Sequence, residues 1–97
     1  MRARLEMWTQ DQGGRHTPVF DGYRPEFKAS TDGHGDVALG AAEVKMPAGH
    51  PLLVPGESVD VDLAPVDLSL WVNVTTALVL GVIEDGNQVG TATILPA

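Results

Sequence analysis

The stretch TTALVLGVIEDGNQVGTATIL, Thr75 to Leu95, predicts a β-hairpin. Its first part, TTALVLGVI, is apolar on both faces and carries β-branched residues at both ends, which is typical of a buried strand. The pair Asp85–Gly86 readily adopts the positive φ angles of a two-residue hairpin turn. QVGTATIL then predicts the returning strand, so the C-terminal part of the chain indicates an all-β protein.

Two more segments predict strands by their alternation of side chains. ARLEMWT (residues 3–9) and SVDVDL (58–63) place apolar residues at every second position, as in a strand with one buried face. Trp8 is the exception in the first segment, because it falls on the face that otherwise carries Arg4 and Glu6. Both segments therefore predict half-buried strands.

The rest of the chain shows frequent turns and no helical period. Prolines recur from Pro18 to Pro65, and each opposes a long helix. TDGHGDVALG (31–40) is rich in Gly and Asp and predicts a flexible loop. Short strands with frequent turns favour a β-sandwich or barrel, and a closed barrel would also remove exposed strand edges.

Length and composition indicate one small soluble domain over residues 1–97. The chain has no cysteine, which excludes disulfides and thiolate metal sites and fits a cytoplasmic location. The arginines near the N-terminus are not followed by the apolar run of a secretory signal. The longest apolar run, 77–83, is far shorter than the ~20 residues of a membrane span.

The charge is divided unevenly along the chain. Residues 1–28 contain five basic and four acidic side chains, whereas Lys45 is the only basic residue among 29–97, against nine acidic ones. The balance is thus +1 in the first part and −8 in the second, for a net charge of −7. Only the N-terminal part could neutralise phosphates, so the composition argues against DNA binding.

The segment GGRHTPVFDGYRPEF (13–27) holds the densest group of functional side chains, yet it shows no catalytic pattern. The three histidines, His16, His34 and His50, lack the close spacing of a metal motif. GHGD around His34 is more simply a solvated loop than a metal site. The chain also lacks a GxxxxGK[ST] phosphate loop. We therefore expect no cofactor, no metal and no enzymatic activity.

Three segments resemble a known family. GGRHTPVFDGYRPEF resembles the signature that opens the third domain of elongation factor Tu, the bacterial GTPase that carries aminoacyl-tRNA to the ribosome; the family pattern is GGRHTPF, a short gap, then GYRPQF. MPAGHPLLVPGESV (46–59) is similar to its LPEG…MPGDN region in the spacing of the prolines. IEDGNQVGTATIL (83–95) is similar to its REGGRTVGAGVV hairpin in the turn glycine and the Val–Gly pair.

The resemblance covers nearly the whole chain and implies both a fold and a role. The implied fold is a closed, six-stranded, antiparallel Greek-key β-barrel of the elongation-factor C-terminal type, here as a stand-alone domain. The implied role is non-catalytic, because the family's GTP hydrolysis belongs to a separate domain. In the family this barrel touches the T-stem of tRNA on one side and the GTPase domain on another.

The resemblance also implies candidate binding residues. Arg15, His16, Tyr23 and Arg24 match the motif and are candidates for contacts with a phosphate or a protein. Alternatively, Arg24 pairs with a carboxylate and Tyr23 packs at the end of the barrel.

Two departures from the family pattern bear on the partner. Glu26 replaces the glutamine that follows GYRP in the family, and the hairpin keeps Glu84 but loses both of the family's arginines. Glu26 and Glu84 are further candidates for contacts with the partner. Fewer cations and an added carboxylate weaken RNA binding. They favour a protein partner, such as a translational GTPase or its regulator, over tRNA.

An alternative is a repurposed barrel that serves as a protein-interaction or structural unit unrelated to translation. Trp8 and Trp71 are its candidate interface anchors, since exposed tryptophans often anchor interfaces. Ordinary burial at a barrel end is the competing interpretation for both. A small-molecule or metal site near His34 and His50 has little support, because a barrel of this size is filled by its own side chains. The sequence does not predict an oligomeric state.

Overall fold

Eight strands and two short 3₁₀ turns make up the protein in a computed structural model that describes residues 1–31 and 35–96. The strands are β1 (Arg2–Met7), β2 (Val19–Phe20), β3 (Glu26–Thr31), β4 (Gly35–Lys45), β5 (Leu52–Leu53), β6 (Ser58–Pro65), β7 (Val79–Glu84) and β8 (Asn87–Ile94). The 3₁₀ turns span Gln10–Gln12 and Leu68–Trp71. In these two ranges no helix has the length and apolar character needed to cross a lipid bilayer.

Six of the strands close an antiparallel barrel in the order β1–β6–β4–β3–β7–β8, with β8 hydrogen-bonded back to β1. The consecutive barrel strands β3, β4 and β6 form a meander, and β1, which precedes them in the chain, lies beside β6. That arrangement of four strands is a Greek key. The prediction of an all-β, closed, six-stranded antiparallel barrel is therefore confirmed.

The predicted C-terminal hairpin is present, with a shorter first strand. Asp85 and Gly86 have φ angles of 50° and 81°, as a two-residue turn with positive φ at both positions requires. Strand β7 begins at Val79, so the prediction of a strand from Thr75 was wrong. Ala77 lies in the left-handed region at φ 72°, and the Leu78 amide donates to the Thr75 carbonyl at 3.2 Å, which makes a turn there.

The barrel interior is filled by the apolar faces of its strands. Strand β1 alternates exposed and buried residues, as its sequence predicts, and Val61 and Leu63 of β6 are buried in the same way. Within the part of the chain that the structure describes, no polar or charged residue is buried. The polar side chains of these residues therefore lie on the outer face of the barrel and in the connecting segments.

Two features were not predicted by the sequence. Strands β2 and β5 form a separate two-stranded ribbon that adds Val19 and Leu53 to the core. The segment predicted as a flexible loop belongs to β4 from Gly35 onward. Its residues 32–34, which include His34, lie outside the described residues.

A β-bulge in β4 is coupled to the burial of Trp71. Phe27 pairs with Gly40 and Lys28 with Ala38, so Leu39 is the extra residue. The Trp71 indole donates its Nε1–H to the Leu39 carbonyl at 2.8 Å and packs edge-to-face on Phe27 at a centroid distance of 5.5 Å. Trp71 is only 3% exposed. The hypothesis that Trp71 is an interface anchor was therefore wrong, and burial is its role.

The loop after β1 depends on two adjacent glycines with different constraints. Gly13 ends the first 3₁₀ turn in the left-handed region at φ 94°, with open space around its Cα. A Cβ on Gly14 would instead overlap the backbone carbonyl of Trp8. Gly14 therefore permits a close approach of two backbone segments, whereas Gly13 permits a positive φ angle.

We expect Trp71→Ala to lower the free energy of unfolding by about 3–5 kcal/mol, because it removes a large buried side chain. It also leaves the Leu39 carbonyl without the indole donor. Urea denaturation followed by circular dichroism measures the change. The control is Leu68→Ala, which truncates a side chain that is 70% exposed in the same turn and should stay within about 0.5 kcal/mol of the wild type. Equal losses in the two variants would contradict the structure.

We expect Gly14→Ala to destabilise the protein more than Gly13→Ala in the same denaturation measurement. Alanine at Gly13 meets only the cost of a left-handed backbone, about 1–2 kcal/mol. Alanine at Gly14 forces the loop away from Trp8, with an overpacking cost of about 3 kcal/mol or more. The opposite order would show that the loop has another conformation.

Candidate functional site

Arg15 and Glu84 join the loop after β1 to the β7–β8 hairpin. Arg15 follows the two glycines, and Glu84 is the last residue of β7 before the turn. The Arg15 Nη1 atom lies 2.6 Å from both carboxylate oxygens of Glu84. Arg15 also donates from Nε to the Thr17 carbonyl at 3.3 Å and from Nη2 to Thr17 Oγ1 at 3.1 Å. The guanidinium is therefore held from two sides.

Tyr23 completes this cluster. Its hydroxyl donates a hydrogen bond to Glu84 Oε2, and the Arg15 guanidinium carbon lies 5.4 Å from the centre of its ring. That distance is within the range of a cation–π contact. The side chains of Arg15 and Glu84 are 26% and 25% exposed, so this pair is less screened by solvent than a surface ion pair. Arg15, Tyr23 and Glu84, called the tyrosine cluster below, thus satisfy one another.

The tyrosine cluster shifts the pKa values of its members away from neutrality. Burial, together with the hydrogen bond and negative charge of Glu84, raises the pKa of Tyr23 well above its ordinary value. Burial alone would raise the pKa of Glu84, but the hydrogen bonds from Arg15 and Tyr23 outweigh it and lower that pKa. The hydrogen bonds to Glu84 also raise the pKa of Arg15. At neutral pH the cluster therefore has a fixed charge state.

A surface cleft of about 500 Å³ lies beside the tyrosine cluster. It is formed by two short segments, Tyr23–Glu26 and Ile83–Gly86. Glu26 and Asp85 are exposed at the cleft, and among the described residues Arg24 is the only cation that lines it. Arg24 Nη2 lies 3.8 Å from Glu43 Oε2, so part of its charge is offset. We call this feature the acidic cleft.

The structure brings together five of the candidate residues predicted from the sequence. Tyr23, Arg24, Glu26 and Glu84 line the acidic cleft, and Arg15 contacts Glu84 behind it. His16 is exposed and lies outside the residues that line the cleft. Asp85, which the sequence predicts only as part of the hairpin turn, also lines the cleft.

Both tryptophans and His50 lie outside the residues that line the cleft. Trp8 is half-buried, and its amide donates to the Val89 carbonyl at 2.9 Å. His50 is half-buried beside the ribbon, in a shallow depression with Asp21 and Met46. Across residues 1–31 and 35–96, no three His, Cys, Asp or Glu side chains are grouped so that they could hold a metal ion.

Most of the basic side chains lie next to a carboxylate. Arg4 Nε is 2.9 Å from Asp60 Oδ1, and Arg2 Nη2 is 3.9 Å from Asp60 Oδ2. Lys28 Nζ is 3.1 Å from Asp36 Oδ2. With Arg15 and Arg24 paired as described, all five basic residues of the N-terminal part have an acidic neighbour. The hydrogen bond from Arg4 lowers the pKa of Asp60, so that pair stays ionised.

A scan against models of known protein families finds no family whose model matches this chain. The resemblance to the third domain of elongation factor Tu therefore depends on the three sequence segments quoted above.

The single tyrosine of the chain allows the cluster to be tested by spectroscopy. An ordinary tyrosine ionises near pH ~10. We expect the native protein to show no tyrosinate absorbance there, and to gain it only as the protein unfolds in alkali. Because the pKa of Tyr23 is raised in the folded state, the stability it contributes is present below pH ~10 and is lost as the pH rises further.

Substituting Glu84 checks the same arrangement. Burial is the main cause of the raised pKa of Tyr23, and Glu84 adds to it through its hydrogen bond and charge. Glu84→Gln removes that charge, so the tyrosine should ionise at lower pH than in the wild type.

Glu84 itself titrates in acid. Folding lowers the pKa of Glu84, so its contribution to stability is lost as the pH falls below ~4. Glu84→Gln should therefore lose less stability than the wild type between pH ~5 and ~3. The matched control is Glu6→Gln, on the exposed face of β1. Identical curves for the wild type and Glu84→Gln would contradict the cluster.

Proposed function

We propose that the protein is a non-catalytic binding module that docks on a protein partner through the acidic cleft, with a translational GTPase or its regulator as the first candidate. The class of partner comes from the resemblance to the third domain of elongation factor Tu, whose barrel contacts a GTPase domain. Such a partner would place the protein in the cytoplasm. Direct binding to tRNA is the second candidate within the same resemblance.

The observation that carries the choice of a protein over tRNA is the pairing of the cations. Phosphate binding needs basic side chains whose charge is available. All five basic residues of the N-terminal part lie within 4 Å of a carboxylate. In the most buried of them, Arg15, the Nη1 atom bonds to Glu84 and the Nε and Nη2 atoms bond to Thr17. The remaining basic residue, Lys45, stands against nine acidic side chains in residues 29–97 and pairs with Asp62 across strands β4 and β6. The net charge of −7 repels a phosphate backbone at long range.

The acidic cleft has the properties of a docking site for a protein. Two of its lining residues, Tyr23 and Glu84, belong to the tyrosine cluster, whose mutual hydrogen bonds fix the side chains before a partner arrives. Its rim carries the exposed carboxylates of Glu26 and Asp85. These carboxylates suit a partner surface with lysine or arginine side chains, which would gain association rate and specificity from the charge.

The absence of catalysis is part of the proposal. A general acid or base works best with a pKa near the operating pH. The tyrosine cluster has the opposite property, because the pKa of Tyr23 is raised and that of Glu84 is lowered. We therefore infer a binding role that uses no cofactor and no metal.

A repurposed barrel unrelated to translation is the remaining alternative. The burial of Trp71 removes one of its two proposed anchors. Trp8 is half-buried and stays a candidate contact. This alternative predicts binding partners outside the translation apparatus and no preference for the acidic cleft.

The proposal is tested by titrating the isolated GTPase domain of elongation factor Tu, bound to GDP or to a GTP analogue, with the purified protein by isothermal titration calorimetry. We expect binding that Glu26→Arg weakens at least tenfold, because the substitution reverses charge at the cleft. Asp62→Arg is the matched control, since it makes the same change of charge on the exposed face of β6, across the barrel from β7. This control should bind as the wild type does.

A parallel titration with aminoacyl-tRNA at low salt distinguishes the alternatives. Salt-sensitive binding that Arg24→Ala removes and Lys45→Ala retains would support tRNA as the partner and overturn the proposal. Binding to neither the GTPase domain nor tRNA would leave the repurposed barrel.

A further inference from the structure

A group of aliphatic side chains is exposed on the second 3₁₀ turn. Leu68, Leu70 and Val72 are 70%, 45% and 76% exposed, and Val37 on the neighbouring strand β4 is 44% exposed. Exposed single aliphatic residues are common, but here Val37 and Leu70 line one groove, and Leu68 and Val72 flank Leu70 in the chain. Together we call Val37, Leu68, Leu70 and Val72 the apolar surface.

A groove gives the apolar surface its shape. Val37 and Leu70 line a depression of about 220 Å³, with Leu39, Val74 and Leu78 as further apolar walls. This volume accommodates one or two aliphatic side chains. The groove is preformed, because the turn that carries Leu70 is fixed by the Trp71 indole bonded to Leu39 and by Asp67, which accepts from the Ser69 amide at 3.1 Å.

The apolar surface is distinct from the acidic cleft. Strand β3 runs from Glu26 in the cleft to Ala29 in the groove, and β7 runs from the residue after Leu78 in the groove to Glu84 in the cleft. The two features therefore lie toward opposite ends of the same strand pair, and a partner at one leaves the other open.

Among the described residues, the unpaired charge next to the apolar surface is negative. Asp67 is exposed and adjoins Leu68 in the chain. Asp36 adjoins Val37 but bonds to Lys28 and Ser30 on the other face of the β3–β4 pair, where the charges of Asp36 and Lys28 offset each other. The other basic residue on these strands, Lys45, is at the far end of β4. A second copy of the chain would bring its own net charge of −7 to the contact, which opposes self-association.

We propose that the apolar surface binds a basic amphipathic helix of a partner protein. Aliphatic side chains of the helix would enter the groove, since an apolar face laid in a hydrophobic groove is a common mode of peptide recognition. Its lysine or arginine side chains would face the acidic surroundings, which adds charge complementarity to the apolar contact.

The test uses a helical peptide made of Leu and Lys, with the leucines along one face, and a counterpart in which Glu replaces Lys. Calorimetric titration at low salt should show that the Leu/Lys peptide binds at least tenfold more tightly than the Leu/Glu peptide. Leu70→Ser should weaken binding at least tenfold. Val54→Ser is the matched control, because Val54 is 38% exposed and lies outside the groove. That control should bind as the wild type does.

Leu68→Ser provides a second variant at a side chain that is 70% exposed, should Leu70→Ser fail to fold by circular dichroism. Glu26→Arg separates this inference from the proposed function, because it alters the acidic cleft and should leave binding of the peptide unchanged. The proposal is overturned by unchanged binding in the folded surface variants, by equal binding of the two peptides, or by loss of peptide binding in Glu26→Arg. Self-association of the free protein that Leu70→Ser abolishes would also overturn it, since a second copy would then cover this surface.

Discussion

The filled, apolar interior of the barrel is the constraint that determines where the protein can carry a binding site. Leu5, Val44 and Val82 are fully buried, and a barrel of so few strands is wide enough only for its own side chains. Any recognition must then use the outer face or the connections. Both features with the character of a site follow this rule, since the acidic cleft adjoins the β7–β8 turn and the apolar surface lies on a 3₁₀ turn.

The strand pattern was predictable because one-sided burial leaves a period of two in the sequence. The alternation in β1 and β6, and Asp85–Gly86 in the last turn, were sufficient to predict strands and a hairpin. The start of β7 was not predictable in this way. Thr75–Leu78 has strand-forming residues, yet Ala77 adopts a left-handed conformation that only the tertiary contacts explain. Residues Gly35–Gly40 were misassigned because their glycines suggested a loop, whereas Gly40 serves the bulge in β4.

The tyrosine cluster was only partly predictable, because its members are far apart in the chain. The resemblance named Arg15, Tyr23 and Glu84 as candidates facing a partner, and no sequence feature showed that they would bind one another. The apolar surface was missed for a different reason. Val66, Leu68, Leu70, Val72 and Val74 alternate as in a half-buried strand, but this segment instead includes a 3₁₀ turn held by Trp71. This segment therefore has the alternating apolar residues of a strand although it is not one.

The pairing of β1 with β8 has a consequence for the order of folding. Ala3 lies opposite Ile94, so closure joins residues from the two extremes of the described chain. Contacts between residues so distant in sequence form slowly, because the intervening chain loses conformational entropy before it gains those contacts. During synthesis, β1 leaves the ribosome long before its last partner exists, and one of its hydrogen-bonding edges stays open until β8 is made. The edge of β1 that pairs with β8 is therefore open to pairing with another chain only until the barrel closes.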